Sequence, residues 1–334
     1  MWLLSGGSVQ GQQQSVTLLL GGDVMLGNWV TDHLDRDGFD YPFRAVKPVL
    51  DSADIRFCNL ETPIGTADST MRTDKTYTFA LPPKYREALR HGNFDVVSLA
   101  NNHILDYGHA LADSTLHYLH QLGISGVGYG QSSMNSAEPT ILERNGFRVG
   151  FLAYSMTFPS DFWATDSTPG TAYPDENNFV RIIESLDAQV DFTVLSFHWG
   201  AENSDSTKAY QQVFAHSAID AGADLVVGHH PHVWQGLEAY RGRLIAYSLG
   251  NFCFGSFSKS AVHSGLLEVR AARDSVLAAR IHPLNVENVT VRFQPQPLTP
   301  DKSGHFFSAL TRYSARFDSI SVVTVDKNGK ISWE

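Results

Sequence analysis

Carboxylate, carboxamide and imidazole side chains follow short apolar runs at five places in this sequence. In chain order the groups are Asp23, then Asn59 with Glu61, then Asn101-Asn102-His103, then His198, and last His229-His230-Pro231-His232. Such side chains are the ligands that hold Zn, Mn and Fe in proteins. Because ligands bind at the carboxyl ends of strands in open α/β sheets, the repeated placement predicts that these groups converge on one metal site.

Most of these groups have a structural alternative when each is taken singly. Asp23 follows two glycines, a context as typical of a turn or helix-cap residue as of a ligand, and His198 beside Trp199 is typical of a core histidine. His230 and His232 are more specific, because residues i and i+2 of an extended backbone point to one side. Two imidazoles on one side favour a metal-ligand pair.

The apolar runs before these groups have the length and composition of buried strands. They lie at residues 16–22, 55–60, 96–99, 149–153, 192–197 and 225–227. Their alternation with helical segments at 83–91 and 211–221 predicts βαβ units and a largely parallel sheet. Turn sequences at 145–146, 240–243 and 272–274 predict hairpins, so a mixed sheet is expected in the second half.

Length and charge exclude several classes of protein. The 334 residues suffice for one large α/β domain or two modest ones. With 25 Lys and Arg against 35 Asp and Glu, the net charge is −10, and no basic run is present, so general nucleic-acid binding is disfavoured. Cys58 and Cys253 are too few for a disulfide scaffold and are expected to be buried thiols. No apolar stretch reaches the roughly 18 residues of a transmembrane helix.

Three sections are expected along the chain. Residues 1–15 form a tail that is either a frayed end or the remnant of a secretory signal without its basic start. Residues 16–290 form the main domain, and residues 291–334, which begin Pro-rich, form a small C-terminal appendage. Long polar loops at 62–82, 157–178 and 253–264 are typical of functional loops beside strand ends.

The sequence resembles the CapA family of capsule or poly-γ-glutamate biosynthesis proteins, within the calcineurin-like metallophosphoesterase superfamily. The matching segments are Gly22-Asp23-Val24-Met25-Leu26, Asn59-Leu60-Glu61, the spaced residues Lys75, Tyr77 and Phe79, the run 98–103, Asp106-Tyr107-Gly108, His198-Trp199-Gly200, the run 228–232 and the run 247–252. The resemblance implies that residues 16–290 form an α/β, metallophosphoesterase-like four-layer sandwich, in which two mixed β-sheets are flanked by helices.

The resemblance also implies roles for individual residues. Asp23, Glu61, Asn102, His198, His230 and His232 match metal ligands, and His103 matches the histidine that protonates the leaving group. Met25 stands where the superfamily's first motif has a histidine, and Glu61 stands where a bridging aspartate is usual. Glu61, Asn102, His198 and His230 would then form the better site, and Asp23, Glu61 and His232 the poorer one. The expected cofactor is one or two divalent transition-metal ions, Mn, Zn or Fe.

Lys75, in the long loop after Glu61, and Asp106, shortly after His103, also have predicted roles. Lys75 is predicted to hold a substrate carboxylate or phosphate as a point charge, with an ordinary surface lysine as the alternative. Asp106 either orients His103 or caps the following helix, and the cap is the favoured interpretation.

Three functions remain open. The first is a metal-dependent hydrolase or amide-acting enzyme on an anionic polymer or its precursor. The second is a non-catalytic subunit that binds the polymer or a capsule synthase around a structural metal. The third is a metallophosphodiesterase. The resemblance and the signal-like tail predict a location outside the cytoplasm or at the cell envelope, with the cytoplasm as the alternative.

Overall fold

The computed structural model describes residues 14–175, 178–317 and 322–333. The strands are β1 (Ser15–Met25), β2 (Ile55–Leu60), β3 (Val96–Ser98), β4 (Ser125–Val127), β5 (Tyr129–Gly130), β6 (Thr140–Arg144), β7 (Phe147–Ser155), β8 (Gly170–Thr171), β9 (Phe192–His198), β10 (Leu225–His229), β11 (Leu237–Tyr240), β12 (Arg243–Ala246), β13 (Asn251–Phe254), β14 (His263–Ala272), β15 (Ser275–Asn285), β16 (Gln296–Pro297), β17 (Thr324–Val325) and β18 (Lys330–Ser332).

The helices are α1 (Trp29–Asp37), α2 (Lys47–Leu50), α3 (Glu87–Gly92), α4 (His109–Leu122), α5 (Ser133–Ser136), α6 (Phe179–Asp187), α7 (Ala209–Asp220), α8 (Asn288–Val291) and α9 (Pro300–Ser314). Short 3-10 turns lie at Tyr41–Val46, Ser69–Met71, Pro83–Tyr85 and Ser160–Phe162. No helix in the described ranges is long and apolar enough to cross a membrane.

Two mixed sheets form the centre of the fold. Over the described residues the larger sheet has ten strands, in the order β17-β18-β15-β14-β1-β2-β3-β4, with β13 beside β1 and β16 beside β15. The second has six, in the order β11-β12-β10-β9-β7-β6. Strands β1 to β4 and β13 run parallel, as do β7, β9, β10 and β12, and the hairpin strands pair antiparallel at the flanks. The mixed α/β architecture expected from the sequence is confirmed.

The alternation of side chains along each strand builds the four layers. Leu18 and Leu20 of β1 face the core between the two sheets, whereas Leu19 packs on the opposite side among residues of α1, α3 and α4. In the second sheet, Val227 faces the same inter-sheet core and Val226 packs with α6 and α7. Buried on both faces, these strands are continuously apolar, and the predicted runs therefore coincide with strands.

The predicted hairpins are also confirmed. Asn145 and Gly146 join β6 to β7 with positive φ of 55° and 77°, and Arg241 and Gly242 join β11 to β12 in the same way. The left-handed conformation at both central residues gives the turn a twist that matches the paired strands.

Both ends of the chain include residues outside the described ranges. Residues 1–13 of the predicted tail and residues 318–321 and 334 of the predicted appendage lie outside the described residues. In the described part of 291–334, α9 buries Phe306, Phe307 and Leu310 in the inter-sheet core, and β18 pairs with β15. These residues are continuous with the main fold, and the boundary at residue 290 stays a prediction.

Candidate functional site

Three of the predicted ligands lie at the carboxyl ends of parallel strands. Asp23 lies near the end of β1, Glu61 directly follows β2, and His198 is the last residue of β9. One ligand atom from each of these three residues lies within 4.8 Å of the other two, and all three side chains are buried. The two sheets therefore contribute jointly to one site, as the sequence predicts.

A close backbone approach places Asp23. A side chain at Gly22 would put its Cβ 1.8 Å from the carbonyl oxygen of Gly250, so only glycine fits there. The approach lets the Asp23 N–H donate to the Gly250 carbonyl at 2.9 Å and lets β13 pair with the end of β1. The glycine before Asp23 is thus needed for β-strand packing beneath the site.

Asn102 and His198 lie side by side. Their atoms Oδ1 and Nε2 are 3.0 Å apart, and the ring of His198 lies 4.8 Å from the ring of His230, centroid to centroid. Two ligands bonded at about 2.1 Å to one ion are separated by about 3 Å at right angles. The pair therefore has the spacing of two ligands of a single ion.

The loop of His230 and His232 corrects one premise of the sequence argument. The backbone is not extended there, because φ is 93° at His230 and 59° at His232, in the left-handed region that non-glycine residues rarely adopt. The ring centroids are nevertheless only 6.2 Å apart. Strain of this kind persists where surrounding contacts hold it, and it is concentrated at functional sites.

Asp23 and His232 contact each other directly. Nδ1 of His232 lies 3.1 Å from Oδ2 of Asp23 and 2.9 Å from Oδ1 of Asn251. The backbone N–H of His230 also faces Oδ2 of Asp23, at 3.3 Å. The second histidine is therefore held by protein groups at Nδ1.

Two buried ligand atoms are without hydrogen-bond partners among the described residues: Oε2 of Glu61 and Nδ1 of His230. Buried polar atoms are almost always paired, and leaving one unpaired costs about 1–3 kcal/mol. An unpaired carboxylate oxygen and an unpaired imidazole nitrogen in one buried site fit a divalent transition metal, which uses these atoms as ligands. The residues present therefore suit a metal ion.

The imidazoles are held in the form that ligates metals. Burial, reinforced by the neighbouring His230, holds the pKa of His198 well below its usual value. Burial and the charge of His232 lower the pKa of His230 to about 3. Both rings are therefore neutral at pH 7, with lone pairs available.

The two carboxylates differ in pKa. Burial would raise the pKa of Asp23, but the contacts with His229 and His232 outweigh it and place the pKa well below the usual range. Burial and the charge of Asp23 raise the pKa of Glu61 well above its usual value. A cation beside Glu61 would reverse that shift, because opposite charge favours the ionised form.

His103 lies in a hydrogen-bonded group beside the predicted metal ligands. Its Nδ1 lies 2.7 Å from Oδ2 of Asp106, and its ring lies 4.2 Å from that of Phe79. Asp106 also accepts the Phe79 N–H at 2.7 Å. Burial lowers the pKa of His103, and Asp106 partly offsets that effect.

The favoured helix-cap interpretation of Asp106 is wrong. The N-cap of α4 is Gly108, without a side-chain cap, and both oxygens of Asp106 are used by His103, Lys75 and Phe79. A loop of two residues separates Asp106 from α4, so its side chain turns inward to His103. The alternative interpretation, that Asp106 orients His103, agrees with the geometry.

Lys75 faces the same group. Its ammonium lies 2.6 Å from Oδ1 of Asp106 and 3.2 Å from Nδ1 of His103, and it contacts the carbonyl oxygen of Asn102. Its side chain is only 19% exposed, so the alternative of an ordinary surface lysine does not hold. Contact of Lys75 with a substrate stays a prediction.

Met25 lies in an apolar group beside the site. Its side chain is fully buried against Phe79 and Phe254, and the ring of Phe254 lies 4.6 Å from that of His232. The position where the superfamily's first motif has a histidine is thus filled by hydrophobic packing.

The sequence argument noted Asn59, Asn101 and His229 but assigned them no role. Nδ2 of Asn59 lies 2.8 Å from Oδ1 of Asp23 and 3.0 Å from Oε1 of Glu61. Nδ1 of His229 lies 3.4 Å from Oδ1 of Asp23. A carboxamide at the end of an apolar strand was the signal available for Asn59, because such a group must find buried partners.

Comparison with solved structures supports the fold. The chain superimposes on a novel phosphatase from Mycoplasma pneumoniae with a TM-score of 0.53 and 14% identity, covering 85% of this chain and 98% of that one. It superimposes on a putative 5'-nucleotidase from Staphylococcus aureus with a TM-score of 0.53 and 12% identity, covering 82% of this chain and 54% of that one. The predicted metallophosphoesterase-like fold is confirmed.

Comparison of sequences identifies the family. The chain is 30% identical to the PGA biosynthesis protein CapA of Bacillus subtilis (strain 168), over 84% of this chain and 73% of that protein. It is 29% identical to the capsule biosynthesis protein CapA of Bacillus anthracis, over 86% of this chain and 71% of that protein. Residues 17–256 match the family described as "Bacterial capsule synthesis protein PGA_cap". The matched range contains every predicted ligand. The chain belongs to this family of bacterial capsule synthesis proteins.

Proposed function

We propose that this protein is a metal-dependent hydrolase or amide-acting enzyme of capsule or poly-γ-glutamate biosynthesis. One observation carries the proposal: a buried set of neutral imidazoles, carboxylate and carboxamide, with two ligand atoms unpaired, lies next to the His103–Asp106 pair. A purely structural metal would need no proton-transfer group beside it. The pairing therefore favours chemistry over a structural role.

Glu61, Asn102, His198 and His230 are the residues that would hold the ion. They combine the unpaired atoms of Glu61 and His230 with the 3.0 Å pair of Asn102 and His198. A divalent ion held there supplies Lewis-acid chemistry and lowers the pKa of water. The protein residues contribute the binding atoms and the buried, low-dielectric surroundings.

His103 would act as the general acid. Its Nδ1 holds a proton against Asp106, so when the ring is doubly protonated Nε2 carries the second proton and can deliver it to the leaving group. Asp106 holds the ring through its contact with Nδ1 at 2.7 Å, and Lys75 in turn holds Asp106 by donating to its Oδ1 at 2.6 Å. Residues of the chain thus position the proton donor independently of the substrate.

The substrate proposed is an anionic polymer or a small anionic precursor. The net charge of −10 repels such a molecule at long range, so attraction must be local. Local positive charge comes from the ion together with Lys75 and Arg72, whose Nε donates to Thr78 at 2.8 Å. We expect γ-linked glutamate oligomers to bind more tightly than phosphodiesters, because Met25 removes a ligand from the second metal position on which phosphoester hydrolysis usually relies.

The names of the Bacillus relatives describe those proteins as acting in capsule and PGA biosynthesis. They support the same pathway for this chain, with capsule synthase subunits as partners and the cell envelope as location. Fractionation of the native host tests the location, and recovery only in the cytosol would contradict it.

A second candidate is a non-catalytic subunit that binds the polymer or a synthase. The packing of Met25 against Phe79 and Phe254 favours it, because a residue that fills an apolar contact cannot complete a second metal position. The third candidate, a metallophosphodiesterase, has to operate without that ligand.

The deciding experiment joins metal analysis to an activity screen on the purified full chain. We expect stoichiometric Mn, Zn or Fe and turnover of γ-glutamyl peptides that a chelator abolishes. Bound metal without turnover of γ-glutamyl peptides or phosphoesters would support the non-catalytic subunit. Strong phosphodiester turnover without γ-glutamyl binding would support the phosphodiesterase.

A further inference from the structure

A cavity of about 410 Å³ lies on the outer face of the second sheet, separate from the candidate metal site. Strand β7, helices α5 and α6 and the loop 157–178 form its walls. Tyr154 of β7 packs there against Phe179 of α6, with ring centroids 5.2 Å apart, and no proposed metal ligand is among the described lining residues. Because small-molecule sites typically measure about 300–1,000 Å³, the cavity is large enough for a small ligand of its own.

Much of the cavity wall is apolar. Met134 and Ala137 of α5, Ile182 of α6 and the ring of Tyr173 line it. Met134 is 78% exposed, and its unbranched side chain can adapt its shape because it has three rotatable bonds. It can therefore fold over an apolar group of a ligand, whose removal from water would favour binding.

Tyr154 contributes a polar atom that has no partner in the protein. Its side chain is 1% exposed, and its hydroxyl makes no hydrogen bond within the part of the chain that the structure describes. Burial, reinforced by the charge of Asp175, raises the pKa of Tyr154. Both residues line the cavity, so the hydroxyl end of the ring lies toward it. Buried hydroxyls are almost always paired, and this one fits a ligand that hydrogen-bonds to it.

Charged groups of both signs border the same cavity. The guanidinium of Arg181 donates to Oδ1 of Asn178 at 2.5 Å and forms no ion pair among the described residues. Oδ1 of Asp166 accepts the hydroxyl of Ser133 at 2.8 Å. Asp175 caps α6 by accepting the Asn178 N–H at 3.0 Å, so its charge is engaged at the start of the helix. A ligand with one negative and one positive group matches Arg181 and Asp166.

We propose that this cavity binds a free amino acid with an apolar side chain. The ligand carboxylate pairs with Arg181, the ligand ammonium group pairs with Asp166, and the hydroxyl of Tyr154 hydrogen-bonds to one of these two groups. The apolar side chain lies against Met134 and Ile182. This site needs no metal and goes beyond the proposed function, so either can fail without the other.

The test is calorimetric titration of the purified full chain with L-phenylalanine. We expect one bound molecule per chain. 3-Phenylpropionate lacks the ammonium group and phenethylamine lacks the carboxylate, so each should bind at least about tenfold more weakly because one charged contact is lost. L-Glutamate should also bind at least about tenfold more weakly, because its side chain would place a charge against the apolar wall.

Two variants locate the site. Arg181→Gln should weaken binding of L-phenylalanine by about 10–100-fold, whereas the matched control Arg312→Gln, at an exposed position of α9, should bind normally. Tyr154→Phe should weaken binding about 3–10-fold. It should also leave the denaturant midpoint of the free chain the same or higher, because the hydroxyl that it removes has no partner among the described residues. A hydroxyl with only a structural role would lower the midpoint and leave binding unchanged.

Other results would overturn the proposal. An absence of saturable binding of L-phenylalanine, L-leucine and L-methionine would rule out the amino-acid ligand. Equal binding of 3-phenylpropionate or phenethylamine would contradict the two charged contacts, and unchanged binding by Arg181→Gln would place the ligand elsewhere. Because Arg181 is exposed, Arg181→Gln decides the location even if Tyr154→Phe does not fold.

Discussion

The two ends of the parallel strands use carboxylates differently. At the amino ends, an aspartate before each of four strands accepts a backbone N–H from the neighbouring strand. The pairs are Asp54 with Thr17 (2.8 Å), Asp95 with Arg56 (2.9 Å), Asp191 with Arg148 (2.8 Å) and Asp224 with Thr193 (2.9 Å). At the carboxyl ends, Asp23 and Glu61 face imidazoles and a carboxamide instead.

The partners explain the difference. Arg144 pairs with Asp95 at 2.8 Å and Arg243 pairs with Asp224 at 2.8 Å, so charge at the amino ends is balanced within the protein. Among the described residues, no Lys or Arg forms an ion pair with Asp23 or Glu61. A carboxylate with an arginine beside it supports the sheet, whereas Glu61, with one oxygen unpartnered beside the neutral imidazole of His198, is available to a cation.

A cluster of three aspartates near the amino ends of the strands shows why the neighbouring charge matters. Asp187, Asp224 and Asp274 also bring three ligand atoms within 4.8 Å of one another, as Asp23, Glu61 and His198 do. Arg243 lies against Asp224 and also contacts the backbone carbonyl of Asp274. Spacing alone therefore does not separate a metal site from a balanced acidic cluster, and the neighbouring charge does.

The largest expected effect is loss of metal from the carboxyl-end site. His198→Ala combined with His230→Ala removes two of the four proposed ligands, and we expect metal content to fall from stoichiometric to near zero. The matched control is Asp224→Asn, which alters the acidic cluster and should leave metal content unchanged. Mass spectrometry of metal content measures both, and unchanged metal in the double variant would show that the site is misassigned.

The next effect concerns catalysis at the same end. His103→Ala should lower turnover by about 10²–10⁴-fold while metal content is retained, because a general acid acts outside the metal ligands. His120→Ala, on the exposed face of α4, is the matched control and should turn over normally. If His103→Ala loses its metal, His103 is a ligand; if it keeps full rate, it has no part in the chemistry.

In the metal-free protein, one group at each end of the parallel strands should make the free energy of unfolding depend on pH, and the two dependences should have opposite signs. His230, with its pKa lowered to about 3, is neutral when folded but protonated when unfolded below about pH 6.5. The unfolded state then binds more protons, so this group should lower the free energy of unfolding by about 2 kcal/mol from pH 6.5 to pH 5.

Asp224 should change the free energy of unfolding with pH in the opposite direction. Burial is the main cause that raises its pKa to about 7, so the folded state binds more protons than the unfolded state between about pH 4 and pH 7. Its contribution is therefore lost as pH rises, by about 2 kcal/mol from pH 5 to pH 7. Denaturant unfolding of the metal-free chain, Asp224→Asn and His230→Ala across this range measures both slopes. The same slope in the chain and in each variant would contradict the assignment.

The smallest expected effect is weak cation binding created at the acidic cluster near the amino ends of the strands. Arg243→Ala removes the cation from the acidic cluster, which should then bind Ca²⁺ weakly through its carboxylates, with Kd of about 1 mM. At 10 mM Ca²⁺ that binding would stabilise the variant by about 1.4 kcal/mol, whereas the unmodified chain should not respond at this cluster. Thermal unfolding with and without Ca²⁺, on protein already saturated at the carboxyl-end site, is the measurement.

The sequence by itself located the strands and predicted which polar side chains would meet at their carboxyl ends. Strands buried on both faces are continuously apolar, so runs such as 55–60 could be located without the structure. Because parallel strands end at one edge, the polar residues after them had to meet, and Asp23, Glu61 and His198 do.

The tertiary structure decided which partner each of these groups faces. The Asp23 contact with the His230 N–H joins residues 207 positions apart, and Lys75 meets Asp106 across 31 positions. No local pattern encodes such distances, and the left-handed backbone at His230 and His232 is held by its surroundings rather than by residue preference. The side-chain types determine which kinds of ligand the site can bind. The packing of the two sheets determines which side-chain atoms are free to bind that ligand.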